Sequence, residues 1–160
     1  QLDLDNIPNI EDILFRSISI KNKIVQVDWE EKGLRKILNF GHTIGHAIES
    51  QSLKNNRVLF HGEAIAMGMA VETLLSKLRG FLSEVECIHI LDKLEAAFTL
   101  EKIDRFEFSD LLKWMQQDKK NTDGHINFTL LSSIGKAEIN VSCLPDEIED
   151  ALHKYNFFLS

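Results

Sequence analysis

Proline is nearly absent. Pro8 and Pro145, both near the ends, are the only two in 160 residues, and there are just eight glycines. Proline in a helix interior removes an N–H and clashes with the preceding turn. Its scarcity favours long helices over a turn-rich β fold. Cysteine is equally scarce: Cys87 and Cys143 stand far apart and in no CxxC pattern. Two reduced thiols in a cytoplasmic protein are expected, and a disulfide framework has no support. Long apolar runs are missing. Stretches such as "AIAMGMAV" fall far short of the ~20 residues that span a bilayer, so no membrane segment is expected. The start, "QLDLDNIPNIED", is acidic rather than basic then apolar, so no signal peptide is expected either. It also opens on Gln rather than Met, and a piece of a longer protein is expected. Basic charge is outnumbered, 18 Lys and Arg against 25 Asp and Glu, for a net charge of −7 and a pI of 5.3. That speaks against a nucleic-acid partner. It leaves an anionic small molecule open, because a local cluster of cations can outweigh a mildly acidic whole.

What is present suits one domain with a real core. Hydrophobic residues make up 44% and charged residues 27%, ordinary for a globular chain. Ile10, Ile13, Leu14, Ile18 and Ile20 repeat at helical spacing and predict a helix from Asn9 to about Val27. Leu34, Ile37 and Leu38 suggest a short helix, residues 39–41 a break, and residues 43–50 a second helical segment. "QSLKNNRVLF" reads as a polar loop. His61 to Lys77 reads as one helix, apolar nearly all round and so buried. Ser83 with Glu86 forms a capping box opening a helix to about Phe98, and Ser109 is expected to cap another to about Asp118. After "DKKNTDG" the period changes to two: "HINFTLL" and "KAEINV" predict a hairpin. Pro145 and the acids after it mark a last helix start. The expected fold is mainly α, a helical bundle-like domain with one small β-hairpin.

The chemistry concentrates in two stretches, "LNFGHTIGHAIES" and "FHGEAIAMGMAVE". His42 and His46 stand four apart, so on a helix they share one face, Cβ atoms about 5–6 Å apart. Such a pair can share a metal ion, or one imidazole can ligate while the other handles protons. A lone pair at this spacing is more often two packed histidines, each bonded to a carbonyl, and HExxH would be sharper. The second stretch shifts the balance. Gly62, Ala66 and Ala70 fall on one helix face and suit close packing, but packing does not account for His61 at a loop-to-helix junction. His61 is a candidate third member of a metal or proton-transfer site. His89, His125 and His153 lack such context and read as structural or surface residues.

Together "GLRKILNFGHTIGHAIE" and "HGEAIAMGM" closely resemble the C-terminal domain of 3-dehydroquinate synthase, a sugar-phosphate cyclase of the shikimate pathway. "KNKIVQVDWEEKGLR", "DKKNTDG" and "LLSSIGKAEI" extend the resemblance over nearly the whole chain. Ile44, where the family often has Phe, is a departure away from the chemistry. The resemblance implies that residues 1–160 form a metal- and substrate-binding helical domain, and that the NAD-binding N-terminal domain is not in this chain. No GxGxxG and no βαβ pattern occurs here. The family's enzyme is an NAD- and metal-dependent carbon–oxygen lyase. It turns 3-deoxy-arabino-heptulosonate 7-phosphate into 3-dehydroquinate and phosphate, toward chorismate and the aromatic amino acids. It oxidises C5 with NAD, eliminates phosphate, reduces C5, opens the ring and closes a carbocycle.

Carried over by motif, His42 and His61 resemble two ligands of Zn2+ or Co2+, the third being a Glu in the segment before this chain. His46 resembles a histidine beside the metal that relays a proton or contacts phosphate. Lys21, Arg35 and Asn39 match substrate-binding positions, and Glu31 a position assigned to proton transfer. Without the resemblance, Glu31 reads as a helix-surface i,i+4 ion-pair partner of Arg35. One of Lys119 and Lys120 is expected to reach the substrate phosphate; the bland alternative is a solvated pair at a helix end. The implied partners are a small sugar-phosphate substrate, the chain's own N-terminal domain and, at full length, a second subunit in a homodimer. Rival readings are a cyclase making an inosose or a valiolone, a glycerol or iron-type alcohol dehydrogenase, and a non-catalytic helical module. The piece alone is expected to be inactive.

Overall fold

A computed structural model describes residues 9–104, 107–116 and 125–160. The chain divides into two compact units, Gln1–Leu38 and Asn39–Ser160.

The first unit holds α1 (Ile10–Val27) and most of a short 3₁₀ helix (Leu34–Asn39). α1 occupies the predicted span, yet none of its residues is buried, and Phe15 and Ile18 are 72% and 65% exposed. Between the two helices the Asp28 carboxylate accepts hydrogen bonds from the backbone N–H groups of Lys32 (3.0 Å), Gly33 (2.8 Å) and Arg35 (3.0 Å). Donation from Arg35 and Gly33 holds this carboxyl below its ordinary range. The side chain thereby satisfies N–H groups at the start of the 3₁₀ helix that have no helical partner.

The second unit is built around α3 (His61–Leu78), on which α2 (His42–Lys54), α4 (Glu84–Ala97), α6 (Pro145–Phe158) and β1 (Ile126–Ser133) pack. α3 is buried from Val71 through Ser76, as its all-round apolar sequence predicts. α5 (Phe108–Gln116) packs on α2. β1 pairs antiparallel with β2 (Lys136–Cys143), with Ile126 opposite Cys143 and Ser133 opposite Lys136. The turn uses Gly135 at φ +85°. Ile126, Phe128 and Leu130 alternate into the core. The mainly α fold with one hairpin is therefore as expected. Among the described residues no helix is long and apolar enough to cross a membrane.

Ser83 and Glu86 form the expected capping box, and Pro145 opens α6. Two expectations about helix bounds fail. Residues 51–54 continue α2 instead of starting a polar loop. Gln51 and Ser52 are buried there because their polar atoms are satisfied: Trp114 Nε1 donates to Gln51 Oε1 (3.0 Å), and Ser52 Oγ donates to the Arg57 carbonyl (2.8 Å). Ser109 lies inside α5 rather than capping it, since α5 already begins at Phe108, a buried core residue. Both cysteines are free and buried, and burial pushes the Cys143 thiol up to about 12. Neither thiol is poised to react.

Candidate metal centre

The two histidine stretches meet where α2 crosses the first turns of α3. Glycine makes the approach possible. At Gly41 (φ +82°) an added Cβ would lie 2.9 Å from the Met69 nitrogen; at Gly45 it would lie 3.0 Å from the Ala64 carbonyl oxygen. The glycines therefore serve a neighbouring helix. On α3 the packed glycine is Gly68. Gly62, expected in a packing stripe, faces open space instead.

A buried carboxyl fixes the crossing. Glu72, wholly buried in α3, accepts from the backbone N–H of Gly41 (Oε2, 2.5 Å) and of Ile44 (Oε1, 3.3 Å), and also interacts with the N–H of Thr43. These are N–H groups that a helix start leaves unpaired, so Glu72 caps α2 from another helix. Burial pushes its carboxyl up to about 8, against the pull of the three backbone donors. Thr43 Oγ1 donates to the Asn127 carbonyl (3.3 Å), tying the same turn to β1. At the start of α3 the Glu63 carboxylate accepts from the Phe60 N–H (2.9 Å).

Held this way, His42, His46 and His61 converge. Their ring centroids are 5.3 Å (42 to 46), 6.1 Å (42 to 61) and 5.7 Å (46 to 61) apart. One ligand-capable atom from each lies within 4.8 Å of the others, the only such His/Cys/Asp/Glu group of three or more among the described residues. Tetrahedral zinc with Zn–N bonds near 2.0–2.1 Å sets its nitrogens about 3.3 Å apart. Binding an ion would require side-chain rotations that shorten these separations, and imidazole is a fitting donor for zinc or cobalt. The residues present fit a metal ion. The geometry gathers all three rings and does not by itself separate ligands from neighbour.

Two rings are anchored through Nδ1. His42 Nδ1 lies 3.2 Å from the Phe40 carbonyl oxygen, and His61 Nδ1 lies 3.2 Å from Glu49 Oε2. Glu49 had no role in the sequence reading, although its place in "GHTIGHAIE" puts it seven residues after His42 on the same helix face.

The chain has relatives among known proteins. Residues 2–121 match the 3-dehydroquinate synthase C-terminal family. The chain belongs to that family. It is 40% identical over 159 residues to 3-dehydroquinate synthase of Parabacteroides distasonis, covering 96% of this chain and 44% of that protein. The corresponding protein of Corynebacterium jeikeium is 40% identical over 136 residues, covering 85% and 36%. The chain thus spans less than half the length of the curated relatives it matches. Among solved structures, it is similar to 2-epi-5-epi-valiolone synthase from Streptomyces hygroscopicus subsp. jinggangensis with NAD+ and Zn2+ bound. The TM-score is 0.74 and the identity 27%, over 93% of this chain and 41% of that one. A 2-deoxy-scyllo-inosose synthase complexed with carbaglucose-6-phosphate, NAD+ and Co2+ shares the fold at TM-score 0.77 and 24% identity, over 91% and 41%.

The other candidate residues of this family member lie as follows. Lys21 is exposed on α1, and Asn39 ends the 3₁₀ helix. Glu31 adopts φ +57° and pairs with Arg35, Nε to Oε2 3.6 Å, while Arg35 Nη1 donates to the Trp29 carbonyl (3.0 Å). The ion pair expected without the resemblance is present, but not on a helix surface: Glu31 lies in the turn before the 3₁₀ helix, at positive φ. Lys119 and Lys120 lie outside the described residues. His153 packs its ring on Phe108 at 5.0 Å, in keeping with a structural role.

Proposed function

We propose that this chain is the metal- and substrate-holding domain, residues 1–160, of a 3-dehydroquinate synthase that converts 3-deoxy-arabino-heptulosonate 7-phosphate into 3-dehydroquinate and phosphate. The observation that carries the reading is the convergence of His42, His46 and His61 from two helices, in a chain of this family. An N-terminal domain would supply NAD and an acidic third ligand. Two of the three imidazoles are exposed, which suits a centre completed by other residues. The uncovered apolar residues of α1 suit a second protein surface.

His42 and His61 would hold the ion through imidazole nitrogens. When bound, Zn2+ or Co2+ supplies Lewis acidity toward substrate hydroxyls. His46 would carry a proton on a ring nitrogen or donate it to the phosphate. Arg35 offers a planar fork to the substrate carboxylate, and Lys21 and Asn39 would orient the sugar. Glu31 would accept a proton while its ion pair keeps Arg35 in place. Lys119 or Lys120 would neutralise the phosphate. NAD ends as it began, so the net reaction is a phosphate-eliminating lyase reaction.

A second reading is a cyclase making a valiolone or an inosose, favoured by the likeness to the valiolone synthase. Steady-state assays of the full-length protein with NAD, a divalent ion and each sugar phosphate separate the two. Dehydroquinate as the principal product supports the first reading; cyclisation of another sugar phosphate alone would replace it. The 160-residue piece by itself is expected to release no phosphate.

A further inference from the structure

We infer that Glu49 is a positioning residue for His61, setting which imidazole nitrogen is left to bind the ion. This rests on the metal-site reading above. His42, His46 and Glu49 occur at i, i+4 and i+7 on α2, so one helix face presents two imidazoles and a carboxylate to the start of α3. There Glu49 Oε2 meets His61 Nδ1 at 3.2 Å across twelve residues of chain. A carboxylate only accepts, so the contact places a proton on Nδ1 and leaves the lone pair on Nε2.

His42 is held in the same tautomer by a different acceptor. Its Nδ1 meets the Phe40 carbonyl oxygen, also a pure acceptor, at 3.2 Å. Both proposed ligands therefore offer Nε2. The His42 anchor belongs to the backbone two residues before it and comes with the turn. The His61 anchor is a side chain from another helix, and substitution can remove it. His61 is the first residue of α3 and its side chain is 56% exposed, so packing does little to fix its ring. The carboxylate also strengthens the ring as a donor to a cation.

The test uses the full-length protein, its Glu49→Ala and Glu49→Gln variants, and Zn2+ competed against a chromophoric chelator. Glu49→Ala is expected to weaken Zn2+ binding about 10- to 100-fold, with the metal-free melting temperature unchanged. Glu49→Gln, whose amide oxygen still accepts from Nδ1–H, is expected to recover most of that loss. Nitrogen-15 NMR of the metal-free imidazoles reads the tautomer directly. His61 is expected as Nδ1–H in the wild type and in Glu49→Gln, and shifted toward Nε2–H in Glu49→Ala. Zn2+ affinity in Glu49→Ala equal to the wild type, or an Nε2–H tautomer for His61 in the wild type, would overturn the inference. If the wild type binds no Zn2+, the metal reading fails, and the tautomer result still decides the role of Glu49.

Discussion

Gly68 of α3 and Gly41 at the N-cap of α2 are in backbone contact: a Cβ at Gly68 would lie 2.1 Å from the Gly41 carbonyl oxygen and 2.6 Å from the Gly45 nitrogen. Nothing flexible lies in that gap, so a methyl group must push the helices apart. Gly68→Ala gains about 1 kcal/mol of helix propensity. Overpacking costs about 1–3 kcal/mol and occasionally more, and backbone against backbone belongs at the upper end. The clash wins. Gly68→Ala is expected to lower the melting temperature and weaken Zn2+ binding together, because the α2 turn that moves carries His42. Thermal melts and chelator competition on the same preparation check this; a variant more stable than the wild type would refute the contact.

Glu72 sets a pH dependence of unusual sign. Its carboxyl is pushed up from the ordinary 4.5 to about 8 in the folded chain. Below about 4.5 both folded and unfolded states hold the proton, and the group favours neither. Between about 4.5 and 8 the unfolded chain releases it and the folded chain keeps it, so stability falls as pH rises. The slope from this one group is at most about 1.4 kcal/mol per pH unit. Glu72→Gln keeps an acceptor for the α2 turn and cannot ionise. Denaturant midpoints from pH 5 to 8 are expected to decline in the wild type and to be flatter in Glu72→Gln. Parallel slopes would remove Glu72 as the cause. Carboxyls held low, such as Asp110 at about 2, act in a different window and lose stability only as pH falls toward that value.

Local patterns and long-range contacts were legible to different degrees. The helix from His61, the Ser83–Glu86 box, the Pro145 start and the hairpin alternation are written in adjacent residues, and each stands where its pattern put it. The histidine trio was legible as a motif, since His42 and His46 announce a shared face and His61 a junction. The end of α2 was not, because Gln51 and Ser52 look like loop residues until Trp114 and Arg57 arrive from elsewhere. Glu72 was hidden for a similar reason: an acid in an apolar helix gives no sign of the turn it caps, 28 and 31 residues away. Glu49 had the right phase on α2, but its partner begins a different helix.

Asp28 organises the turn that bears Glu31 and Arg35, two candidate substrate residues, through three backbone hydrogen bonds. Asp28→Ala removes both acceptor oxygens, and with them all three bonds, without touching the ion pair. Amide exchange at Lys32, Gly33 and Arg35 is expected to quicken while exchange in α3 stays unchanged. In the full-length enzyme KM is expected to rise severalfold with a smaller change in kcat, the signature of a lost ground-state contact. Unchanged exchange at those three amides would mean the carboxylate is not what orders the turn.

The division of labour among the three histidines is the sharpest point to test, because geometry alone leaves the rings nearly equivalent. Removing a ligand takes away a metal bond, so His42→Ala and His61→Ala are expected to weaken Zn2+ binding by more than the roughly 100-fold upper range of outer-sphere changes. Chelation of the wild-type enzyme should abolish activity in the same way, and added Zn2+ should restore it. Removing a proton-transfer group leaves the metal in place and costs about 10²–10⁴ in turnover. His46→Ala is therefore expected to bind Zn2+ nearly as the wild type does, with kcat reduced over that range and a changed pH profile. If His46→Ala instead loses the ion as readily as His42→Ala, all three imidazoles are ligands. The proton must then be carried by another group, and Glu31 would be the next residue to replace.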